Sequence, residues 1–227
     1  MALLQELLKL VHDLRGTLTA WAGDMGPWLS VALFAIIFCE TGLVVTPFLP
    51  GDSLLFTLGA LEATASGWPL RWQFVAPLLI VAGVLGDAVN YAIGRRFGHA
   101  LFTREDSKVF NKKHLVRAQR FYEKYGGKTI ILARFVPIVR TFAPFVAGMG
   151  DMTYRRFAAF NVVGAVLWVG LLYACGIWFG GLGWVKDHFE AVVVAIVVVS
   201  VLPAVFEGWR ARNEAMRTKE PPPAGPA

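Results

Sequence analysis

The stretch ETGLVVTPFLPGDS, residues 40–53, places two acids and two prolines inside an apolar region of the chain. Glu40 and Asp52 are unfavourable in a bilayer, because placing an ionised side chain at the centre of a spanning helix costs roughly 2.5 to 3.5 kcal/mol of insertion free energy. Pro47 and Pro50 lack a backbone N–H and clash with the preceding turn, so they interrupt an α-helix. The stretch therefore predicts a helix break whose freed carbonyls are covered by protein or by a water-filled cavity.

The composition around this stretch predicts an integral membrane protein. Of 227 residues, 56% are hydrophobic and 17% charged, and the mean hydropathy is +0.54, which is too apolar for a soluble domain of this size. A spanning helix needs about 20 apolar residues, and residues 72–93, 157–182 and 189–206 meet or approach that length. Residues 28–66 and 129–150 are also apolar but are interrupted, at TPFLPGD and at RFVPIVRTFAP.

Three regions follow along the chain. Residues 1–26 predict an amphipathic helix that lies on the bilayer or packs against the other helices. Residues 27–208 form the transmembrane domain, and residues 209–227 form a cytoplasmic tail whose Pro-rich end is typical of disorder. Because the chain starts without a basic segment and carries Glu6 and Asp13, a cleaved signal peptide is not expected.

Basic residues predict the orientation of the spans. Residues 95–128 contain ten Lys or Arg against three acids, and four more basic residues follow Glu207, so both segments should face the cytoplasm, as should the C-terminus. The predicted spans 157–182 and 189–206 lie between these two cytoplasmic segments and already cross the membrane twice. Region 129–150 must therefore return to the side from which it enters. Because span 72–93 ends at the cytoplasmic segment, it starts on the other side of the membrane. A hairpin at 28–66 would therefore open to the face opposite that of region 129–150.

These constraints define the predicted fold class. We expect an all-α membrane protein with transmembrane helices and two oppositely oriented re-entrant helical hairpins, which together form an inverted repeat. A pair of kinked spans is the alternative reading of the prolines. The residues predicted to form the breaks are Pro47, Pro50, Gly51, Pro137, Pro144 and Gly148.

The charged side chains of the two breaks should meet. Glu40, Asp52, Arg134 and Arg140 together would cost about 10 kcal/mol if they faced lipid. On unbroken helices Glu40 and Asp52 would lie about 18 Å apart, and the two arginines would point about 120° apart. A fold-back of TPFLPG and a break at Pro137 remove both obstacles. Four further polar residues line a cytoplasmic mouth or satisfy helix ends: Asp87, Asn90, Tyr91 and Arg95.

Three motifs resemble the DedA family of bacterial inner-membrane proteins. They are PGD at 50–52 preceded by Glu40, GDAVNYAIGRRFG at 86–98 and ARFVPIVRTFAPFVAG at 133–148, and the resemblance covers roughly residues 30–180. Family members are similar in fold to the eukaryotic lipid scramblases of the VTT group. Some are implicated in returning undecaprenyl phosphate, a carrier lipid of cell-wall synthesis, across the membrane.

The resemblance implies site residues and a location. The family's required acids match Glu40 and Asp52, its required arginines match Arg134 and Arg140, and its members lie in the bacterial inner membrane. A guanidinium suits a phosphate headgroup because it donates paired hydrogen bonds. We therefore expect a flippase in which the arginines hold the phosphate of a polyprenyl phosphate or another anionic phospholipid. The acids would pair with the arginines in the empty site or take up protons and couple transport to the proton gradient.

Other functions make different demands on the sequence. An enzyme is not expected, because the four histidines form no spaced pair and no aspartate cluster suits Mg²⁺. No metal, cofactor or nucleic-acid partner is predicted. Two alternatives stay open: a proton-coupled transporter of a small ion, and a structural membrane protein whose charge network only fixes assembly. A homodimer is compatible with the sequence, although no residue pattern indicates one.

Overall fold

The described part of the chain consists of helices and short connections and contains no β-strand. The computed structural model describes residues 13–43, 51–102, 126–150 and 152–196. The helices are α1 (Leu14–Met25), α2 (Trp28–Gly42), α3 (Gly51–Thr64), α4 (Trp72–Phe102), α5 (Thr129–Ala133, after a 3₁₀ turn at Gly126–Lys128), α6 (Pro137–Met149), α7 (Tyr154–Gly180), α8 (Gly183–Asp187) and α9 (189–196).

Among the described residues, two helices are long and apolar enough to cross a membrane. They are the Trp72–Gly98 part of α4 and the whole of α7, each 27 residues long. At 1.5 Å per residue, 27 residues extend about 40 Å, which exceeds a hydrocarbon core of about 30 Å. This agrees with the predicted spans at 72–93 and 157–182. Of the third predicted span, residues 189–196 are helical and the remainder lies outside the described residues.

The first helix is joined to the helical core. Asp13 caps it by accepting a hydrogen bond from the backbone N–H of Gly16 at 2.7 Å. Leu14 and Leu18 are buried, and α1 contacts α2 and α3. This part of the predicted amphipathic region therefore packs against other helices. Residues 1–12 and the predicted tail at 209–227 lie outside the described residues.

The first interrupted region forms two helices with different neighbours. α2 ends at Gly42 and packs along α4, whereas α3 begins at Gly51 and packs along α7. Pro47 and Pro50 lie outside the described residues. The different packing partners of α2 and α3 show that this region does not run as one continuous helix.

The second interrupted region breaks at a single short turn. α5 ends at Ala133, residues 134–136 form the turn, and α6 begins at Pro137. Proline suits this first helical position because its missing N–H would have no partner there. α5 packs along α7, and α6 packs along α4.

Pro144 and Gly148 do not interrupt the backbone, contrary to the prediction. Both lie inside α6, which continues to Met149. Pro144 withholds one N–H from the carbonyl four residues earlier, and a packed helix tolerates that single loss. Gly148 instead permits a close crossing, because a Cβ there would overlap the carbonyl oxygen of Tyr91 on α4.

A second close crossing joins α3 to α7. A Cβ on Gly59 would overlap the carbonyl oxygen of Tyr173, and one on Gly176 would overlap that of Phe56. Small residues of this kind let helix backbones approach closely in membrane proteins. The crossing holds α3, and therefore its first turn, against a spanning helix.

Gly176→Ala should force α3 and α7 apart because the new Cβ meets backbone that cannot rotate away. We expect the free energy of unfolding to fall by about 1 to 3 kcal/mol, measured as a lower thermal unfolding temperature in detergent. Gly170→Ala, on the same helix, is the matched control: its Cβ enters open space, so helix propensity should make it neutral or slightly stabilising. Equal unfolding temperatures for the two variants would contradict the close crossing.

Candidate functional site

Arg140 lies between the two acids of the first interrupted region. Its Nη2 donates to Glu40 Oε1 at 2.6 Å, and its Nη1 donates to Asp52 Oδ1 at 2.8 Å. Glu40 is in the last turn of α2 and Asp52 in the first turn of α3. The two carboxylates, which a straight helix would separate, therefore share one guanidinium. We call these three side chains the Arg140 cluster.

Gly51 allows this cluster to form. Its backbone N–H donates to Glu40 Oε1 at 3.3 Å. A Cβ at this position would overlap the Glu40 carboxylate, so no other residue fits without moving the acid. Gly51 and Asp52 thus combine a bare backbone with an acid at a helix N-terminus, where negative charge is favourable.

Arg134 binds different partners from Arg140. Its Nη2 donates to Asp87 Oδ2 on α4 and to Asn161 Oδ1 on α7, the latter at 2.6 Å. Asn161 in turn donates from Nδ2 to the carbonyl oxygen of Val84 at 3.0 Å. We call Arg134, Asp87 and Asn161 the Arg134 cluster. Our prediction did not identify Asp87 or Asn161 as arginine partners, although each is a polar residue in an otherwise apolar span.

Trp168 on α7 contacts both clusters. Its Nε1 donates to Asp52 Oδ1 at 2.8 Å. The centre of its ring lies 5.0 Å from Cζ of Arg140 and 5.7 Å from Cζ of Arg134, within the range of cation–π attraction. Trp168 is a buried tryptophan in mid-span, and tryptophans are usual at the membrane interfaces instead. That unusual position is the signal by which the sequence could have revealed it.

Asn90 joins the backbones that carry the Arg140 cluster. Its Nδ2 donates to the carbonyl oxygens of Thr141 at 2.9 Å and of Thr41 at 3.4 Å. These residues directly follow Arg140 and Glu40 in the sequence. The Asn90 amide, fully buried on α4, therefore holds α2 and α6 in the alignment that their ion pair requires.

The four residues predicted to line a mouth lie in two different places. Asp87 and Asn90 are buried between helices, so they do not line a mouth, because the helices around α4 cover the face that carries them. The other predicted role fits Asn90, which bonds to a carbonyl in the last turn of α2. Tyr91 and Arg95 line a surface cavity of about 410 Å³ together with residues 148–150 and 152–154. Tyr91 also donates its hydroxyl to the carbonyl oxygen of Met152 at 2.6 Å.

The charges of the two clusters do not balance when all groups are ionised. Three carboxylates, from Glu40, Asp52 and Asp87, face two guanidiniums. An uncompensated charge is costly inside an apolar structure, so a neutral site requires one additional proton or cation. Within the described ranges, Glu40 Oε2 is buried and has no hydrogen-bond partner. No group of three or more His, Cys, Asp or Glu side chains that could hold a metal ion occurs there.

Comparison with known proteins reveals the family. Residues 44–178 match the VTT domain, and the chain is 51% identical over 217 residues to Protein DedA of Escherichia coli strain K12, covering 96% of this chain and 99% of that one. The chain belongs to the DedA family. Other DedA relatives include the uncharacterized membrane protein Rv0364 of Mycobacterium tuberculosis, 43% identical over 208 residues, with 89% and 91% of the two chains covered.

A third DedA relative has a location in its name. Inner membrane protein YqjA of Escherichia coli strain K12 is 33% identical over 179 residues, covering 78% of this chain and 80% of that one. No solved structure matches the chain. The relatives therefore support the assignment of this chain to the DedA family and its location in a membrane.

Gly51→Ala should push the Glu40 carboxylate away from Arg140, because the added Cβ occupies its position. We expect a loss of about 1 to 3 kcal/mol in the free energy of unfolding, measured by thermal unfolding in detergent. Gly23→Ala in α1 is the control, since its Cβ meets nothing within 4 Å. In a Glu40→Ala background the Gly51→Ala effect should nearly vanish; an undiminished effect would show that the clash with Glu40 is not its cause.

Proposed function

We propose that this protein is a flippase that returns a polyprenyl phosphate carrier lipid, such as undecaprenyl phosphate, across the bacterial inner membrane. The observation that carries the proposal is the Arg140 cluster. Its guanidinium is held by two carboxylates at the ends of broken helices, and the side chains of Arg140 and Asp52 are 13% and 21% exposed. A phosphate can bind the same nitrogens that the carboxylates occupy.

Exchange of partners at Arg140 provides a mechanism. A lipid phosphate that binds the guanidinium displaces Glu40 and Asp52, which then lack their cation. Because unpaired charge is unfavourable away from water, the displaced acids take up protons as the phosphate arrives and release them as it leaves. Lipid movement would thereby be coupled to the proton gradient. The apolar tail remains in the bilayer throughout.

An inverted repeat would let the site face each side in turn, and the helix packing supports it. Each half of the repeat consists of an interrupted region, with two helices as its arms, and the spanning helix that follows: α2, α3 and α4 in the first half, and α5, α6 and α7 in the second. The first arm packs on the spanning helix of its own half, α2 on α4 and α5 on α7. The second arms, α3 and α6, pack on the spanning helix of the other half. We propose that the two regions are re-entrant hairpins of opposite orientation, which would place the site near the midplane.

The proposed orientation follows from the basic segments. We propose that residues 95–128 and the C-terminus face the cytoplasm, where positively charged segments are retained. The name of the relative YqjA supports an inner-membrane location. We also propose that the protein acts by binding and movement alone, without catalysis.

One observation favours a second candidate. In the described residues each guanidinium is engaged by internal carboxylates, as expected of a network that only fixes assembly. The two candidates differ in what Arg140 does when lipid is present. A carrier must exchange its internal partners for phosphate, whereas a structural network keeps them.

Arg140→Gln should abolish selective binding of undecaprenyl phosphate to the purified protein, because the neutral amide cannot replace a charged, forked donor. Arg140→Lys should bind with intermediate affinity, since it keeps the charge and loses the paired geometry. Binding is measured against a zwitterionic phospholipid in the same detergent. Arg156→Gln, which removes an exposed charge, is the control and should bind like the wild type.

Three results would change the conclusion. Equal binding by the wild type and a folded Arg140→Gln variant would favour the structural network. Complete competition by inorganic phosphate at similar concentration would indicate a small-anion transporter instead. Selective binding without movement of the lipid in vesicles that carry a proton gradient would leave a lipid-binding protein and contradict transport.

A further inference from the structure

The two arginines differ in how fully the protein occupies them. The Arg134 side chain is 6% exposed and its carboxylate partner Asp87 is equally covered. Nη2 of Arg134 has three acceptors, which are Asp87 Oδ2, Asn161 Oδ1 and the carbonyl oxygen of Gly83 at 3.4 Å. Arg140 is more exposed, and one of its two acids is about one-fifth exposed. A ligand thus meets a covered arginine in one cluster and an accessible one in the other.

Two glycines allow the spanning helices to pack closely against Arg134. A Cβ on Gly83 would lie 3.4 Å from Nη1, and one on Gly164 would lie 3.2 Å from Nε. The guanidinium therefore packs against the bare backbone of α4 on one side and of α7 on the other. Nε is buried and has no hydrogen-bond partner in the described part of the chain, so solvent does not reach it either.

The Arg134 cluster joins three separate elements. Asp87 belongs to α4, Asn161 to α7, and Arg134 to the turn between α5 and α6. Asn161 also bonds directly to the backbone of α4 at Val84. The cluster therefore ties both spanning helices to the turn from which α6 starts, and Arg140 lies in the first turn of α6.

We propose that Arg134, Asp87 and Asn161 form an interhelical lock, and that the phosphate headgroup is bound by Arg140 alone. The lock holds the 134–136 turn and thereby positions Arg140 against Glu40 and Asp52. The lipid-binding half of this inference rests on the proposed function. The lock itself does not, because it is defined by contacts within the protein.

A double-mutant cycle tests the lock. Asp87→Asn or Arg134→Gln alone leaves one buried charge without its partner, whereas the double variant leaves two neutral amides. We expect the double variant to unfold at a higher temperature than either single variant in the same detergent. If the two single losses simply add, the two side chains do not act as a buried pair, and the lock is overturned.

A distant pair of charges provides the matched control cycle. Arg156 lies in the first turn of α7 and Asp187 beyond the end of that helix, and both are exposed. The helix from Arg156 to its end at Gly180 is about 36 Å long. Arg156→Gln and Asp187→Asn should therefore shift the unfolding temperature additively. If the double variant is more stable than the single variants in the Asp87/Arg134 cycle, and the shifts in unfolding temperature add in the Arg156/Asp187 cycle, the coupling arises from the buried contact between Asp87 and Arg134.

Lipid binding then separates the roles of the two arginines. The two neutral amides of the Asp87→Asn/Arg134→Gln variant can still hydrogen-bond to each other and keep the turn in place. This double variant should therefore bind undecaprenyl phosphate within about threefold of wild type, and Arg140→Gln should bind it at least about tenfold more weakly, which corresponds to about 1.4 kcal/mol. A folded double variant that loses binding as Arg140→Gln does would make Arg134 a headgroup ligand and overturn the inference. If wild type itself binds no phosphate lipid, the proposed function fails, and the thermal cycle still decides whether the lock exists.

Discussion

Every charged group inside this membrane protein needs a partner inside the protein. Lipid offers neither hydrogen bonds nor counterions, so an ionised side chain exposed to it is strongly disfavoured. Each of the two guanidiniums and three carboxylates of the Arg134 and Arg140 clusters has an oppositely charged partner within the protein, and the one carboxylate in excess requires an additional proton or cation. The helix ends that carry Glu40, Asp52, Arg134 and Arg140, together with the bare backbone of Gly51, bring these five groups together.

The helix breaks and the continuous helices contribute different parts of the site. Glu40, Asp52, Arg134 and Arg140 all lie at or beside helix ends, where the chain can change direction and deliver a side chain that a continuous helix would point elsewhere. The spanning helices α4 and α7 supply the supporting groups, which are Asp87, Asn90, Asn161 and Trp168. Asn90 shows the division clearly, because it bonds to the backbone beside Glu40 and Arg140 and to neither charge.

This division bears on the proposed transport. A carrier needs a binding group that can change partners and a frame that keeps its shape while this happens. The Arg140 cluster, which contains a partly exposed acid, suits the binding group that changes partners. The covered Arg134 cluster suits the frame that keeps its shape. Trp168 touches both, and its bond to Asp52 gives that acid a donor other than Arg140.

The sequence alone determined the membrane class, two spans, the two interrupted regions, the family and the four charged residues at the breaks. These features depend on local composition and on backbone chemistry that acts within a few residues. It predicted the breaks less well where context decides: Pro144 and Gly148 lie within α6, because a packed helix tolerates one missing hydrogen bond. Only the tertiary structure decided which charge meets which. Arg134 finds Asp87 at a separation of 47 residues, and Arg140 finds Glu40 at 100. Such pairs depend on which helices cross and on which faces, and that is set by packing across the whole molecule rather than by any local pattern.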